Sequence, residues 1–216
     1  METRTNKRWF NRSGVYDSIN IRYCDSSVDY PILSSIINLN NFKVVICNDY
    51  KQISEYSLVS TFVDDYILER FWNNPPKYIN YFKNSLSVMS PDFSILVGMP
   101  KPVQIWNTYR NRLIGSIWQK EGLNVIPTVS WSDSSSFDFC FNGIGYNSNV
   151  AISNIGCRNE KDKDFFDAGF NEMKKRINPN QIIFQCNKKY KDNYSDNNII
   201  FIDSFWDNKR KLKDGR

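Results

Sequence analysis

Six short, almost uninterrupted apolar runs recur through this chain, and polar stretches of helical period separate many of them. They are KVVIC (43–47), SLSVM (85–89), LNVIPTVSW (123–131), NVAIS (149–153), QIIFQC (181–186) and NIIFID (198–203). Strict alternation of apolar and polar residues marks a strand with one wet face. Continuous runs rich in β-branched and aromatic residues mark strands covered on both faces, as in a parallel sheet.

The stretches between them carry helix punctuation. Residues 63–73 place acids in a first turn and Tyr66, Ile67 and Phe71 at helical positions; Pro75-Pro76 ends that helix and KYINYFKN starts another. Trp106, Tyr109, Leu113, Ile117 and Trp118 recur at three- and four-residue steps over 103–121, with Gly122 as the closing cap. Residues 161–177 have acids early and Lys174, Lys175 and Arg176 late, as the helix dipole favours, and Asn178-Pro179 stops the helix. Strands alternating with helices imply βα units joined by right-handed crossovers. The expected fold is α/β: a TIM-like parallel β/α barrel, reduced in strand number, or else an open doubly wound parallel sheet, the barrel being preferred. A length of 216 residues suits one domain over 1–216.

Charge and cysteine usage narrow the setting. The net charge of +5 resides on the two ends, 1–17 and 207–216, which are expected to be flexible, while the residues between them balance. Solvated tails explain that excess without a nucleic-acid partner; phosphate contact by the tails is the alternative. The 5 cysteines, Cys24, Cys47, Cys140, Cys157 and Cys186, are odd in number and lack metal-ligand spacing, which fits buried free thiols in a reducing compartment. No run approaches the roughly eighteen apolar residues of a membrane span, and the N-terminus lacks the apolar core of a signal peptide. A cytoplasmic protein without a membrane partner is expected.

The chain contains 0 histidines. That removes every histidine-dependent triad, zinc site and imidazole base. Carboxylates remain as acid–base groups, or as ligands for Mg²⁺, the one cofactor the composition suggests. In either parallel architecture ligands bind beyond the C-terminal ends of the strands. The residues found there are Asn48 and Asp49, Ser90 and Asp92, Ser132 and Asp133, Asn154 and Gly156, Gln185 and Asn187, and Asp203. Caps and turns use the same residue types. In the helix containing TYRNR, Arg110 and Arg112 lie about 200° apart and cannot share a face. One of them is expected to reach inward, to a structural ion pair or to an anion, and the other to be solvated. The stretch 138–143 (DFCFNG) reads as a packed turn or as a lid.

Three segments, SPDFS (90–94), QIWNTYRNRLIGSIWQKEGLNVIPTVSWSD (104–133) and FCFNGIGYNSNVAISNIG (139–156), together resemble the family catalogued as domain of unknown function 4417, found in bacteria, phages and other mobile elements. The resemblance runs from about residue 60 to about residue 185 and implies no particular activity. Its motif positions coincide with several strand ends. The candidate site comprises Asp92 and Asp133 as acid/base groups or Mg²⁺ ligands, Arg110 for an anionic group and Trp131 as a stacking wall. Ser90, Tyr109, Asn142 and Ser153 are the further substrate contacts. The phage association suggests a nucleotide or nucleic acid as substrate. The competing expectation is a non-catalytic module that engages nucleic acid or a host or phage protein in replication or counter-defence.

Overall fold

The computed structural model describes residue 24, residues 28–37 and residues 39–204. Seven parallel strands appear among them: β1 (Lys43–Ile46), β2 (Ser57–Ser60), β3 (Ser87–Met89), β4 (Val125–Ile126), β5 (Val150–Ser153), β6 (Ile182–Gln185) and β7 (Ile199–Ile202). Four long helices join them: α1 (Asp65–Asn73) and α2 (Pro75–Phe82) between β2 and β3, α3 (Lys101–Lys120) before β4, and α4 (Glu160–Ile177) before β6. Both basic ends lie outside the described residues.

Helix boundaries follow local chemistry. The Asn74 side chain accepts the Lys77 N–H and caps α2, whose opening Pro75 needs no N–H partner there. Asn159 caps α4 by accepting the Asp162 N–H, and Asn178 ends that helix in the left-handed region at φ 49°. Gly122, at φ +89°, turns the chain after α3. That helix is buried on most of its circumference, because strands lie below it and residues 30–35 cross above it. Ser116 donates to the Ile32 carbonyl, and a Cβ at Gly115 would meet Leu33 at 2.6 Å.

Strand order is β1-β2-β3-β4 in one ladder and β5-β6-β7 in the other, with every pairing parallel. A single parallel bridge between Thr128 and Ala151 links the two. Neighbours in space are therefore neighbours in sequence from first strand to last. One face of the first ladder, Val59, Val88 and Val125, packs under α1–α3 against Leu68, Phe71, Phe82 and Trp118. The same face of the second, Val150, Ile152, Ile182 and Phe184, packs under α4 against Phe166, Phe170 and Met173. On the opposite face Leu58, Met89, Ile126, Ala151, Ile183 and Ile202 form one cluster of their own, which Leu39 joins. A doubly wound sheet would need helices on both faces; here the second face is covered by its own strands.

The expected closed barrel is not formed: the strands make two separate parallel ladders. Among the described residues no sheet closes, because β1 and β7 do not pair and a cleft separates them. Strand β2 had no counterpart among the six apolar runs. The run 123–131 contributes only two residues to a ladder, plus the bridge at Thr128.

Candidate functional site

The cleft between the two unpaired edges has a volume of about 1830 Å³. Its walls include Val44–Ile46 of β1 and Ile200–Ile202 of β7, and it opens at the C-terminal strand ends. Four carboxylates line it, Asp49, Asp64, Asp92 and Asp203, against one lysine, Lys43. Ser153 and Gln185, joined by a 3.1 Å hydrogen bond, form the β5–β6 part of the rim.

Asp92 is held at this mouth by a built support. The Ser90 N–H still bonds to Ile126 O, extending the ladder one step beyond β3, and the Phe93 N–H then closes a tight turn on Pro91 O. Two amides one helical turn apart on α3 grip this loop: Asn107 Nδ2 donates to Ser94 O and Asn111 Nδ2 to Pro91 O, each at 2.7 Å. Ser94 donates from its backbone and hydroxyl to Asp65 at the start of α1. Ser130, beyond β4, donates its hydroxyl to the Asp92 carboxylate. Burial pushes the Asp92 carboxyl up to about 6, opposed by the Ser130 hydrogen bond, reinforced by the Asp65 charge and opposed by Arg112. A carboxyl titrating near neutrality at the mouth of a cleft is suited to give and take a proton.

The loop of Asp92 and the helix that grips it carry two of the three segments singled out in the sequence, SPDFS and NTYRNR. The match to a family described as Domain of unknown function (DUF4417) covers residues 25–205. The chain belongs to that family. It is also 33% identical to the Gene 1 protein of Mycobacterium phage L5 over 224 residues, covering 99% of this chain and 97% of the phage protein. Against the Gene 1 protein of Mycobacterium phage D29 it is 31% identical over 217 residues, covering 97% of this chain and 80% of that protein. No solved structure matches it. Among the described residues no helix is long and apolar enough to cross a membrane.

Both arginines of the TYRNR stretch are buried, so the expectation that one of them is solvated is corrected: each finds its partners inside the protein. Arg110 lies buried against Glu69 at 2.5 Å and Asn107 at 2.6 Å, with its guanidinium 3.8 Å from the Phe93 ring centre. Arg112, 2% exposed, donates to the carbonyls of Thr128, Cys140 and Asn142 and to Asn111 Oδ1. It thereby ties the 138–143 stretch, which forms packed turns, to the sheet. Burial lowers its pKa to about 10, so it remains charged at neutral pH. Ser90 is fully buried and bonds to Asn111 and Thr128. Tyr109 stacks on Trp106 with ring centres 5.7 Å apart and packs between two core clusters. Asn142 folds back on Asp138 O.

Asp133 and Trp131 do not reach the cleft. The Asp133 carboxylate accepts the Ser135 N–H at 3.0 Å and its hydroxyl at 2.6 Å, and these bonds, the hydroxyl's first, hold its pKa below the usual aspartate value. It caps the short 3-10 turn Ser134–Ser136. Trp131 is buried under α4, donates to Phe166 O and fills the space left by Gly169. Of the candidate residues, Asp92 and Ser153 alone line the cleft. Ser130 and Asn107 were not singled out from the sequence. The Asn107–Asn111 spacing of four residues beside an arginine was the available signal. Among the described residues no group of three or more acidic or thiol side chains is gathered to hold a metal ion.

Proposed function

We propose that this chain is a phage-encoded enzyme working in the host cytoplasm, with Asp92 as its general acid–base and the β1–β7 cleft as its substrate site. The observation that carries this reading is the position of Asp92: a carboxyl pushed up to about 6, partly open to the cleft, on a loop gripped from α1 and α3. A carboxyl kept only as a turn would have no need of burial that opposes its charge. The cleft exceeds the roughly 300–1,000 Å³ of ordinary small-molecule sites, which favours an extended ligand.

A nucleotide or nucleic acid is the substrate class put forward. Phe42, Phe62, Tyr66 and Phe201 give the cleft walls on which bases stack, and Asn48, Gln52 and Gln185 give amides that read base edges. Four carboxylates against one lysine repel bare phosphates. The ligand is therefore expected to enter with Mg²⁺ on its phosphates, an ion that binds through one or two carboxylates plus phosphate oxygens. The test is a panel of nucleotides and oligonucleotides with and without Mg²⁺, read by calorimetry and phosphorus NMR, on wild type and Asp92→Asn. Mg²⁺-dependent binding in both proteins with turnover in wild type alone is the expected result. Turnover unchanged in Asp92→Asn refutes the assignment.

A further inference from the structure

Asp92 also lines a second cavity, of about 10 Å³. Asp92, Ser130, Thr128, Asn111, Thr108 and Arg112 contribute most of its wall. That volume is about one water molecule, and polar cavities of this size hold a water when two to four groups are ready to bond it. Such groups are present. Among the described residues the Asp92 carboxylate accepts one hydrogen bond, from the Ser130 hydroxyl, which leaves acceptor capacity. Arg112 has five N–H groups, of which its bonds to Asn142, Asn111, Thr128 and Cys140 engage four. Thr108 Oγ1 donates to Gln104 O and can accept.

Arg112 has only neutral oxygens in direct contact, although a buried guanidinium is strongly favoured beside a carboxylate. The carboxylate sharing a wall with it is Asp92. We propose that this cavity is a one-water site and that Arg112 acts through that water as the positioning residue for Asp92. The inference rests on Asp92 being the acid–base group. It adds a fixed route from the buried cation to the carboxyl, which orients the carboxyl toward the cleft and sets the pH at which it titrates. The other charged groups around Asp92 are Asp65 at the head of α1 and, along the cleft, Asp49, Asp64, Asp203 and Lys43. Arg112 is the cation among them on the buried side.

The experiment is a crystal structure of the full chain at atomic resolution, together with carbon-13 NMR titration of the Asp92 carboxyl. One ordered density peak within hydrogen-bond distance of both Asp92 and Arg112 is expected; no peak, or a water bonded to only one of them, overturns the proposal. Thr108→Leu adds bulk at the cavity wall and removes none of the acceptors of Arg112, and should raise the Asp92 titration by about one pH unit. Arg112→Gln should raise it by at least as much. An Asp92 titration unmoved by Thr108→Leu overturns the proposal even where Arg112→Gln fails to fold. Density and titration are read without any turnover, so loss of the enzymatic reading through an active Asp92→Asn variant stays distinguishable from loss of the water site.

Discussion

Replacing Asp92 with asparagine should make the protein more stable at neutral pH. In the folded chain the carboxyl titrates at about 6, against an ordinary value of 3.8. At ~1.4 kcal/mol per pH unit, that difference places roughly 3 kcal/mol against the charged form in the fold. Asp92 is partly open to the cleft, where water screens the charge, so about 1–3 kcal/mol is the expected gain for a neutral isostere. In a domain of this size the gain raises the melting temperature by roughly 2–12 °C. The sign depends on pH. Below about 4 the carboxyl is protonated in both states and the variant has no advantage. Between about 4 and 6 the unfolded chain releases its proton first, so wild-type stability falls as pH rises. Above about 6 the full penalty applies and the advantage of asparagine levels off. Urea melts of both proteins from pH 4 to 8 measure this directly, because every other titrating group cancels in the difference. A variant less stable than wild type at pH 7.5, or a difference that does not change with pH, refutes the account of Asp92.

Other substitutions separate framework from site. Gly169→Ala places a Cβ 2.1 Å from Trp131 Nε1 and should cost about 3 kcal/mol or more in a urea melt. Arg110→Met breaks the bonds to Glu69 and Asn107 and should lower stability by about 2 kcal/mol, without moving the Asp92 titration in carbon-13 NMR. Asp133→Ala removes a turn cap and should cost about 1 kcal/mol in thermal melts while leaving the proposed Mg²⁺-dependent binding intact in calorimetry. Burial pushes the Cys47 and Cys140 thiols up to about 12, so both should resist iodoacetamide at pH 8 in the folded protein and react once urea unfolds it, as read by mass spectrometry.

The α/β class and the helices were legible because periodicity and caps are local signals. Pro75, Gly122 and Asn178 mark helix ends in the sequence as they do in the fold. Strand β2 was not legible: Ser57, Ser60 and Thr61 are all fully buried, yet a serine-rich segment reads as a loop by composition. Whether the first and last strands meet depends on accumulated twist and spacing, which no local pattern records. The strand-end rule found Asp92 and failed at Asp133 for one reason. The run 123–131 looks like a long strand, but the ladder holds only Val125–Ile126 and the bridge at Thr128. Beyond that point the chain runs under α4, carrying Trp131 into the core and Asp133 to a turn. Arg112 was seen as a charge and not as the tie between the 138–143 turns and the sheet, since three of its acceptors are backbone carbonyls that every sequence has.

The unjoined margins of β1 and β7 have a mechanical consequence. In a closed barrel, strand number and stagger fix the bore, and widening it means breaking ladder bonds. Here a small change in sheet twist would alter the aperture with every existing backbone pair intact.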